Sequence, residues 1–354
     1  MNIYYAIPSG SQTNIEEQDI ALRLIQSLSA MPYHTGCFTI DTPQPFETVK
    51  NTPSLIHAFH AAKTGLQCQK LSEINRLPLV ITCTGLDVYI DMFNTGLHGQ
   101  LQEVLESARK IIVPFDHIGK FIKLRLQIKN EIETIAPGIA PLAGNLEFSR
   151  EHFGLASDER LILLESGILP SKNTLFAINQ LSRIIKDYPS LRLVIISTPS
   201  DIAYHEKVLA VASDHNWVRI IGRPAPEELV SLYKHAEVFV NVSHAEGYNP
   251  CLLQAMQVGL PVLAADIYGN HALIRNEALF NDTGNGWLYF TSPAPVSFEK
   301  IHDSEDFIEK LRFILDNPEK AQEVGKRAAA TIQKSFSIEK EVYLHMQLYK
   351  NILK

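Results

Sequence analysis

The stretch from Ala236 to Ala265 constrains the fold most. A β-branched apolar run, AEVFVNVS (Ala236 to Ser243), leads through an acidic, glycine-containing loop into a proline-opened amphipathic turn, EGYNPCLLQAM (Glu246 to Met256). A second apolar run follows, LPVLAA (Leu260 to Ala265). Near-continuous apolar runs of this kind suit strands buried on both faces, which belong to parallel sheets with helical crossovers. The expected order is strand, loop, helix, strand, and it commits this part of the chain to an α/β architecture.

The junction also predicts chemistry. The first turn of a helix leaves backbone N–H groups unpaired, and with the positive end of the helix dipole they make a seat for phosphate. Pro250 suits that first turn because its missing N–H has no partner to lose. Glu246 stands beside the seat, placed to accept hydrogen bonds from a hydroxyl-rich group carried by the phosphate. Gln254 follows eight positions on (254 − 246 = 8), about two turns at ~3.6 residues per turn. Both side chains then reach one extended ligand, and a sugar nucleotide has that shape.

A chain of 354 residues suits two domains. The first half predicts strands at Ile3 to Ile7, Gly36 to Ile40, Leu55 to Ala58, Leu77 to Thr82 and Lys110 to Pro114, with a helix from about Glu16 to Met31. The second predicts strands at Leu161 to Glu165, Leu191 to Ser197, Val218 to Ile221, Val238 to Asn241 and Val262 to Ala264. Its helices fall at Lys172 to Lys186, Ala203 to Ser213, Pro226 to His235 and Pro250 to Val258, with a helical tail over Ile301 to Lys354. Between the halves, Ile135 to Arg160 is rich in proline, glycine and polar residues and reads as a linker. Domains of 1–145 and 146–335 follow, each an alternating, doubly wound sheet.

Hydrophobic residues at 45% and charged residues at 20% describe an ordinary globular protein, and a net charge of −7 argues against a general nucleic-acid binder. Cys37, Cys68, Cys83 and Cys251 form no CxxC pair and no metal-ligand spacing with histidine. The start, MNIYYAIPSG, lacks the pattern of a signal peptide, and no apolar run reaches ~18 residues, so a cytoplasmic location is expected without a transmembrane segment. Phe121 to Lys129, FIKLRLQIK, alternates apolar and cationic residues and leaves a peripheral membrane contact open, beside the plainer reading of a solvated helix face. GxGxxG, GxxxxGK[ST], HExxH, GxSxG and Asp-x-Asp are absent, so neither dehydrogenase-type dinucleotide binding nor a catalytic metal is expected.

The spacing and flanks of Glu246 and Gln254 resemble the donor-site signature of family 4 of the retaining GT-B glycosyltransferases, the glycosyl transferases group 1, where Glu, seven residues, then Glu is usual. That resemblance implies two Rossmann-like domains facing a central cleft, with a terminal helix, here 336–354, crossing back to the first domain. It gives Glu246 contact with the transferred sugar and Gln254 contact with the nucleotide ribose, since an amide also bonds a hydroxyl. It places Lys172, after the strand ending at Glu165, against the diphosphate leaving group. The arginine of that family loop is not matched: Ile168 and Leu169 hold its positions, and Arg223 or Arg275 is the replacement cation. Gly10, Gly167, Gly247, Tyr248, Asn249, Cys251 and Leu252 complete the implied donor site, and the loop Ile220 to Pro226, with Arg223, meets the base.

In the first half, Thr84-Gly85-Leu86-Asp87 and Leu55 to Thr64 (LIHAFHAAKT) resemble the Thr-Gly-Thr-Asp and His-Ala-Arg-Arg-Ser stretches of a branch that includes selenosugar synthases and the glycosyltransferase-one-domain proteins. Leu86, Ala62 and Lys63 depart from the pattern. His60 and Asp87, at carboxyl ends of adjacent strands, are the candidates to orient or deprotonate an acceptor. The expected function is retaining transfer of a sugar from a nucleoside-diphosphate sugar, a UDP-sugar favoured, with no cofactor and an acceptor left open. Gln254, Leu86 and the missing arginine keep two alternatives: a catalytically degenerate GT-B protein that binds a nucleotide or partner, and a sugar-nucleotide epimerase.

Overall fold

Two parallel sheets carry the chain. The computed structural model describes residues 1–8, 15–31, 34–39, 52–94, 96–142, 150–197, 201–277, 283–293 and 300–354. It separates into two units, Met1–Gly138 with Phe336–Lys354, and Ile139–Ser335.

In the first unit, β1 (Asn2–Ile7), β2 (His34–Thr39), β3 (Leu55–Phe59), β4 (Leu79–Thr82), β5 (Lys110–Val113) and β6 (Ile132–Thr134) pair in parallel in the order β2-β1-β3-β4-β5-β6. Helices α1 (Ile15–Ser29), α2 (Leu66–Asn75), α3 (Leu86–Tyr89), α4 (His98–Ser107) and α5 (Asp116–Leu126) lie between them. The run LVIT at β4 is buried throughout; each such aliphatic side chain contributes roughly 1.5–3 kcal/mol through removal from water. From β1 the chain steps to β2 on one side and then to β3 on the other. The topological switch point of this unit therefore lies between β1 and β3.

In the second unit, β7 (Arg160–Glu165), β8 (Leu191–Ile196), β9 (Val218–Ile221), β10 (Val238–Asn241), β11 (Val262–Ala265) and β12 (Trp287–Tyr289) form another parallel sheet, in the order β12-β11-β10-β7-β8-β9. Its helices are α6 (Thr174–Ser182), α7 (Ile202–Ser213), α8 (Pro226–His235), α9 (Pro250–Gln257), α10 (Tyr268–Leu273), α11 (Ser304–Asp316) and α12 (Pro318–Ser335). A small antiparallel pair, β13 (Thr291–Pro293) with β14 (Lys300–His302), forms a separate two-stranded sheet. The chain runs β7, β8, β9 in one direction and returns to β10 on the far side of β7, so here the switch point lies between β7 and β10.

The last helix, Ile338–Ile352, rejoins the first unit. Its buried Glu341 takes Nη1 of Arg23 on α1 at 2.5 Å and the amide of Gly138 at 2.9 Å. Tyr349 on the same helix bonds Nδ1 of His57 on β3 at 2.7 Å.

Two sequence expectations give way. The helix expected over Lys172 to Lys186 is divided: Pro170–Lys172 is a 3-10 turn, Asn173 is left-handed at φ 53°, and α6 starts at Thr174. Asparagine tolerates that conformation, and it ends the first turn so that Lys172 stands ahead of the helix. The helical tail expected from Ile301 starts instead with β14, and helix begins at Ser304, where the Asp303 carboxylate caps the Glu305 and Asp306 amides.

Candidate active site

The crevice outside the carboxyl ends of strands at a switch point is where open α/β sheets bind ligands. In the second unit the loops after β7 and β10 meet there. Loop β7 delivers Lys172 and loop β10 delivers Glu246, and the ammonium lies 3.0 and 2.8 Å from the two carboxylate oxygens. The side chains are only 6% and 2% exposed. Desolvating two charges costs several kcal/mol for each ion unless hydrogen bonds satisfy them, and here they do. Oε1 of Glu246 also accepts from the Ser243 hydroxyl at 2.6 Å and from Nδ2 of Asn241 at 3.2 Å, while Asn270 steadies Asn241 through a 2.8 Å bond to Oδ1.

Close packing holds Glu246 from behind. A Cβ on Gly269, in α10, would fall 2.4 Å from the Glu246 carbonyl oxygen, so only glycine permits this approach.

Helix α9 begins as its sequence predicts. Asn249 is the N-cap, its Oδ1 accepting from the Leu252 amide at 3.0 Å, and Pro250 occupies the first helical position. Gly247, Tyr248, Cys251 and Leu252 are buried around this start. Nδ2 of Asn249, Oε1 of Gln254 and Oγ of Ser166, just past β7, are buried without hydrogen-bond partners among the described residues. Buried polar atoms are usually paired, so these three leave hydrogen-bonding capacity unused at the start of α9 and the end of β7.

Ile168, where the resemblance expects arginine, is fully buried in the core of the second unit. Arg223, after β9, lies with Nε 3.5 Å from Oε1 of Glu165 at the end of β7. Burial raises the Glu165 carboxyl above its usual range, opposed by the Tyr233 hydroxyl at 2.7 Å and by Arg223. Arg275 turns its Nε to the Thr283 carbonyl at 2.6 Å. Gly167 is half-buried beside Ser166.

The first unit gathers a second set. His60 follows β3 and adopts φ 76°, a strained conformation for a residue other than glycine. Its Nδ1 accepts from the Lys63 amide at 3.2 Å, and Nε2 lies 3.6 Å from the Asp91 carboxylate. Burial, with Lys63 adding to it, lowers the ring to a pKa of about 3 against the opposing pull of Asp91. The imidazole is therefore neutral near pH 7, with its proton on Nε2. Asp87 is fully buried, and its oxygens accept from the amides of Ala61 at 2.8 Å and Gly85 at 2.9 Å. Burial raises its carboxyl, countered by these amides. Asp87 thus ties the loop after β4 to the residue following His60. Gly10 lies outside the described residues.

Sequence reasoning missed Asn241, Ser243, Asn270, Glu165 and Tyr233. The signal for Asn241 was present, as a polar residue closing the apolar run VFVN, where a bland strand end would do equally well. Among the described residues no helix is long and apolar enough to cross a membrane.

The description "Glycosyl transferases group 1" matches residues 146–331, which is 186 of 354 residues. Among curated relatives, Glycosyltransferase 1 domain-containing protein 1 of Xenopus tropicalis is 26% identical over 78% of this chain and 79% of its own length. Trehalose synthase of Pyrococcus horikoshii is 23% identical over 71% of this chain and 60% of its own length. Among solved structures, sucrose-phosphate synthase from Thermosynechococcus elongatus superposes with a TM-score of 0.80 at 18% identity, covering 99% of each chain. Anabaena HepE in complex with UDP and glucose gives 0.76 at 16% identity, over 99% of this chain and 100% of that one. The matched model spans more than half the chain and includes both loops of the second switch point, and the chain belongs to the glycosyl transferases group 1, a glycosyltransferase of the GT-B fold.

Proposed function

We propose that the chain transfers a sugar, with retention of configuration and without a metal, from a nucleoside-diphosphate sugar to a hydroxyl-bearing or other small nucleophilic acceptor. The observation that carries the proposal is the buried Lys172–Glu246 pair at the switch point beside the start of α9. An ammonium held by its own carboxylate is a preformed cation for a diphosphate, and the carboxylate is a preformed acceptor for sugar hydroxyls. A UDP-sugar is favoured, since HepE was solved with UDP-glucose.

As the bond from the anomeric carbon to the phosphate oxygen breaks, its electron pair passes to the leaving diphosphate and the sugar ring becomes cationic. The acceptor's nucleophilic atom bonds to the same carbon from the face the diphosphate leaves, and its proton passes to the departing phosphate oxygen. Lys172 and the amides around Tyr248 to Leu252 stabilise the growing negative charge, in a setting where prearranged donors act most strongly. Gln254 offers its orphan Oε1 to a ribose hydroxyl. Arg223 stands in for the cation that Ile168 cannot supply. His60, protonated on Nε2, orients a hydroxyl by donating to it, and Asp87 holds the backbone that presents it.

Calorimetric titration with UDP, GDP and ADP tests the reading. Micromolar binding of one of them, lost in Lys172→Met while the variant still melts cooperatively, supports the site. No binding of any of the three overturns it.

A further inference from the structure

Two histidines next to the donor loop are not used by the transfer described above. His244 stands two positions before Glu246, and its backbone amide donates to the Ser171 carbonyl at 2.8 Å, which fixes the loop after β10 to the turn that carries Lys172. Its Nδ1 receives the Lys300 amide at 3.1 Å and lies 3.1 Å from Nε2 of His302. Nδ1 of His302 is in turn 2.6 Å from the Tyr289 hydroxyl.

The hydrogen-bond pattern assigns the ring protons of this relay. A backbone N–H can only donate, so Nδ1 of His244 is bare and its ring proton is on Nε2. Nε2 of His302 faces the same nitrogen and so carries a proton, sharing the lone pair of His244 Nδ1 with the Lys300 amide, which leaves Nδ1 of His302 bare to accept from Tyr289. The links run in one direction only, from Tyr289 through His302 to His244. Burial, with His244 adding to it, lowers His302 to about 3, and burial keeps the Tyr289 hydroxyl protonated, so His302 and Tyr289 are both neutral across physiological pH. Among the described residues, the titratable groups on the elements around His302 include Tyr289 on β12, His244 on the loop after β10, Lys300 on β14, and Asp303 and Asp306 at the start of α11; the Phe176 ring of α6 lies tilted against it at 5.0 Å without charge.

We infer that Tyr289 and His302 are positioning residues for the donor site: through His244 they hold the loops of Lys172 and Glu246 in register, so the β12 to β14 region sets how well the site receives a diphosphate. The inference rests on the donor site proposed above. It goes beyond that site because none of the three residues belongs to its spacing.

His302→Leu and His302→Gln separate orientation from packing. Glutamine offers Oε1 to the Tyr289 hydroxyl and an Nε2 hydrogen to His244, the same polarity as the native ring; leucine offers neither. Two readouts apply to each protein. Amide exchange of the 243–246 segment without ligand should speed up in His302→Leu and return toward the native rate in His302→Gln. UDP affinity by calorimetry should fall roughly five- to tenfold in His302→Leu and stay within about threefold in His302→Gln, the range for residues acting on a site through a neighbour. Native exchange and affinity in a folded His302→Leu overturn the inference, and so does a His302→Gln variant as impaired as the leucine variant. If the native protein binds no nucleoside diphosphate while the exchange pattern holds, the donor-site reading fails and the relay stands as an ordering device.

Discussion

Beyond the ends of β3 and β4 the first unit places His60 and Asp87; beyond the ends of β7 and β10 the second places Lys172 and Glu246. Both sets are buried past the carboxyl ends of parallel strands, the second at its sheet's switch point and the first one strand further in, and their chemistry differs. In the second unit a full cation meets a full anion, with three polar side chains in support. In the first, the Asp87 carboxyl is spent on backbone amides, and the histidine, beside the Asp91 carboxylate, is neutral. One topology thus supplies two crevices, one suited to an ionic ligand and the other to a neutral hydroxyl. The difference lies in the loop residues and not in the sheets, as expected when function is grafted onto a common fold.

Acid should separate the units most. Burial lowers His57, His60 and His345 in the first unit, against His302 in the second. A histidine held below its unfolded value of 6.5 contributes stability that is complete above pH 6.5 and is lost as pH falls toward the folded value, because the unfolded chain then binds the extra proton. Each group costs up to about 1.4 kcal/mol per pH unit, so three cost up to about 4 kcal/mol per pH unit against about 1.4 for a single one. The raised carboxyls of Asp87 and Asp91 oppose this in the first unit, and Glu165 does so in the second. Both tryptophans, Trp217 and Trp287, report on the second unit. On lowering the pH from 7 to 5, far-ultraviolet dichroism should be lost before tryptophan fluorescence shifts; coincident transitions would show that the histidine clusters do not set the order.

Lys172→Met comes next. It leaves Glu246 buried with only hydrogen bonds from Ser243 and Asn241, and breaking such a pair costs about 3–5 kcal/mol. Diphosphate affinity should fall at least about 30-fold, as for loss of one partner in a buried charge contact. Glu246→Gln added to it should recover stability in a urea melt without recovering affinity. Recovery of both would mean the pair is structural and the seat binds by amides alone.

The contrast between the crevices was partly visible in the sequence. Runs such as VFVN and LVIT are buried on both faces, so period and composition mark their strands, and Glu246 and Lys172 stand just past such runs. Local pattern says less about β6, whose Ile132, Glu133 and Thr134 are all partly exposed on an edge strand. It is silent on the pairing of β13 with β14 and on the contact between His244 and His302, 58 positions apart. Ile168 shows the limit best: as a letter it is a missing arginine, and only its burial shows that the position belongs to the core.

His60→Asn probes the neutral crevice with a smaller effect. Asparagine tolerates positive φ, and its Oδ1 can accept from the Lys63 amide, so the backbone should hold. What disappears is the Nε2 hydrogen, worth about 0.5–1.5 kcal/mol as a neutral hydrogen bond. Turnover should drop roughly three- to tenfold with UDP affinity unchanged. A matching loss of UDP affinity would assign His60 to the donor and erase the division of labour between the crevices.

Gln254→Glu asks how far the ionic character of the second crevice extends. The orphan Oε1 of Gln254 is an acceptor already, so a carboxylate adds charge without adding a contact. Hydrogen bonds from hydroxyls strengthen when the acceptor is ionised, whereas a carboxylate in this half-buried place loses hydration and repels the diphosphate. These terms oppose each other, and UDP affinity should change by less than about threefold, under 1 kcal/mol. A gain of tenfold or more would mean that the ribose end also relies on charge, which would widen the contrast with the neutral His60 crevice. A comparable loss would mean that the amide is selected because the crevice already holds as much negative charge as Lys172 can balance.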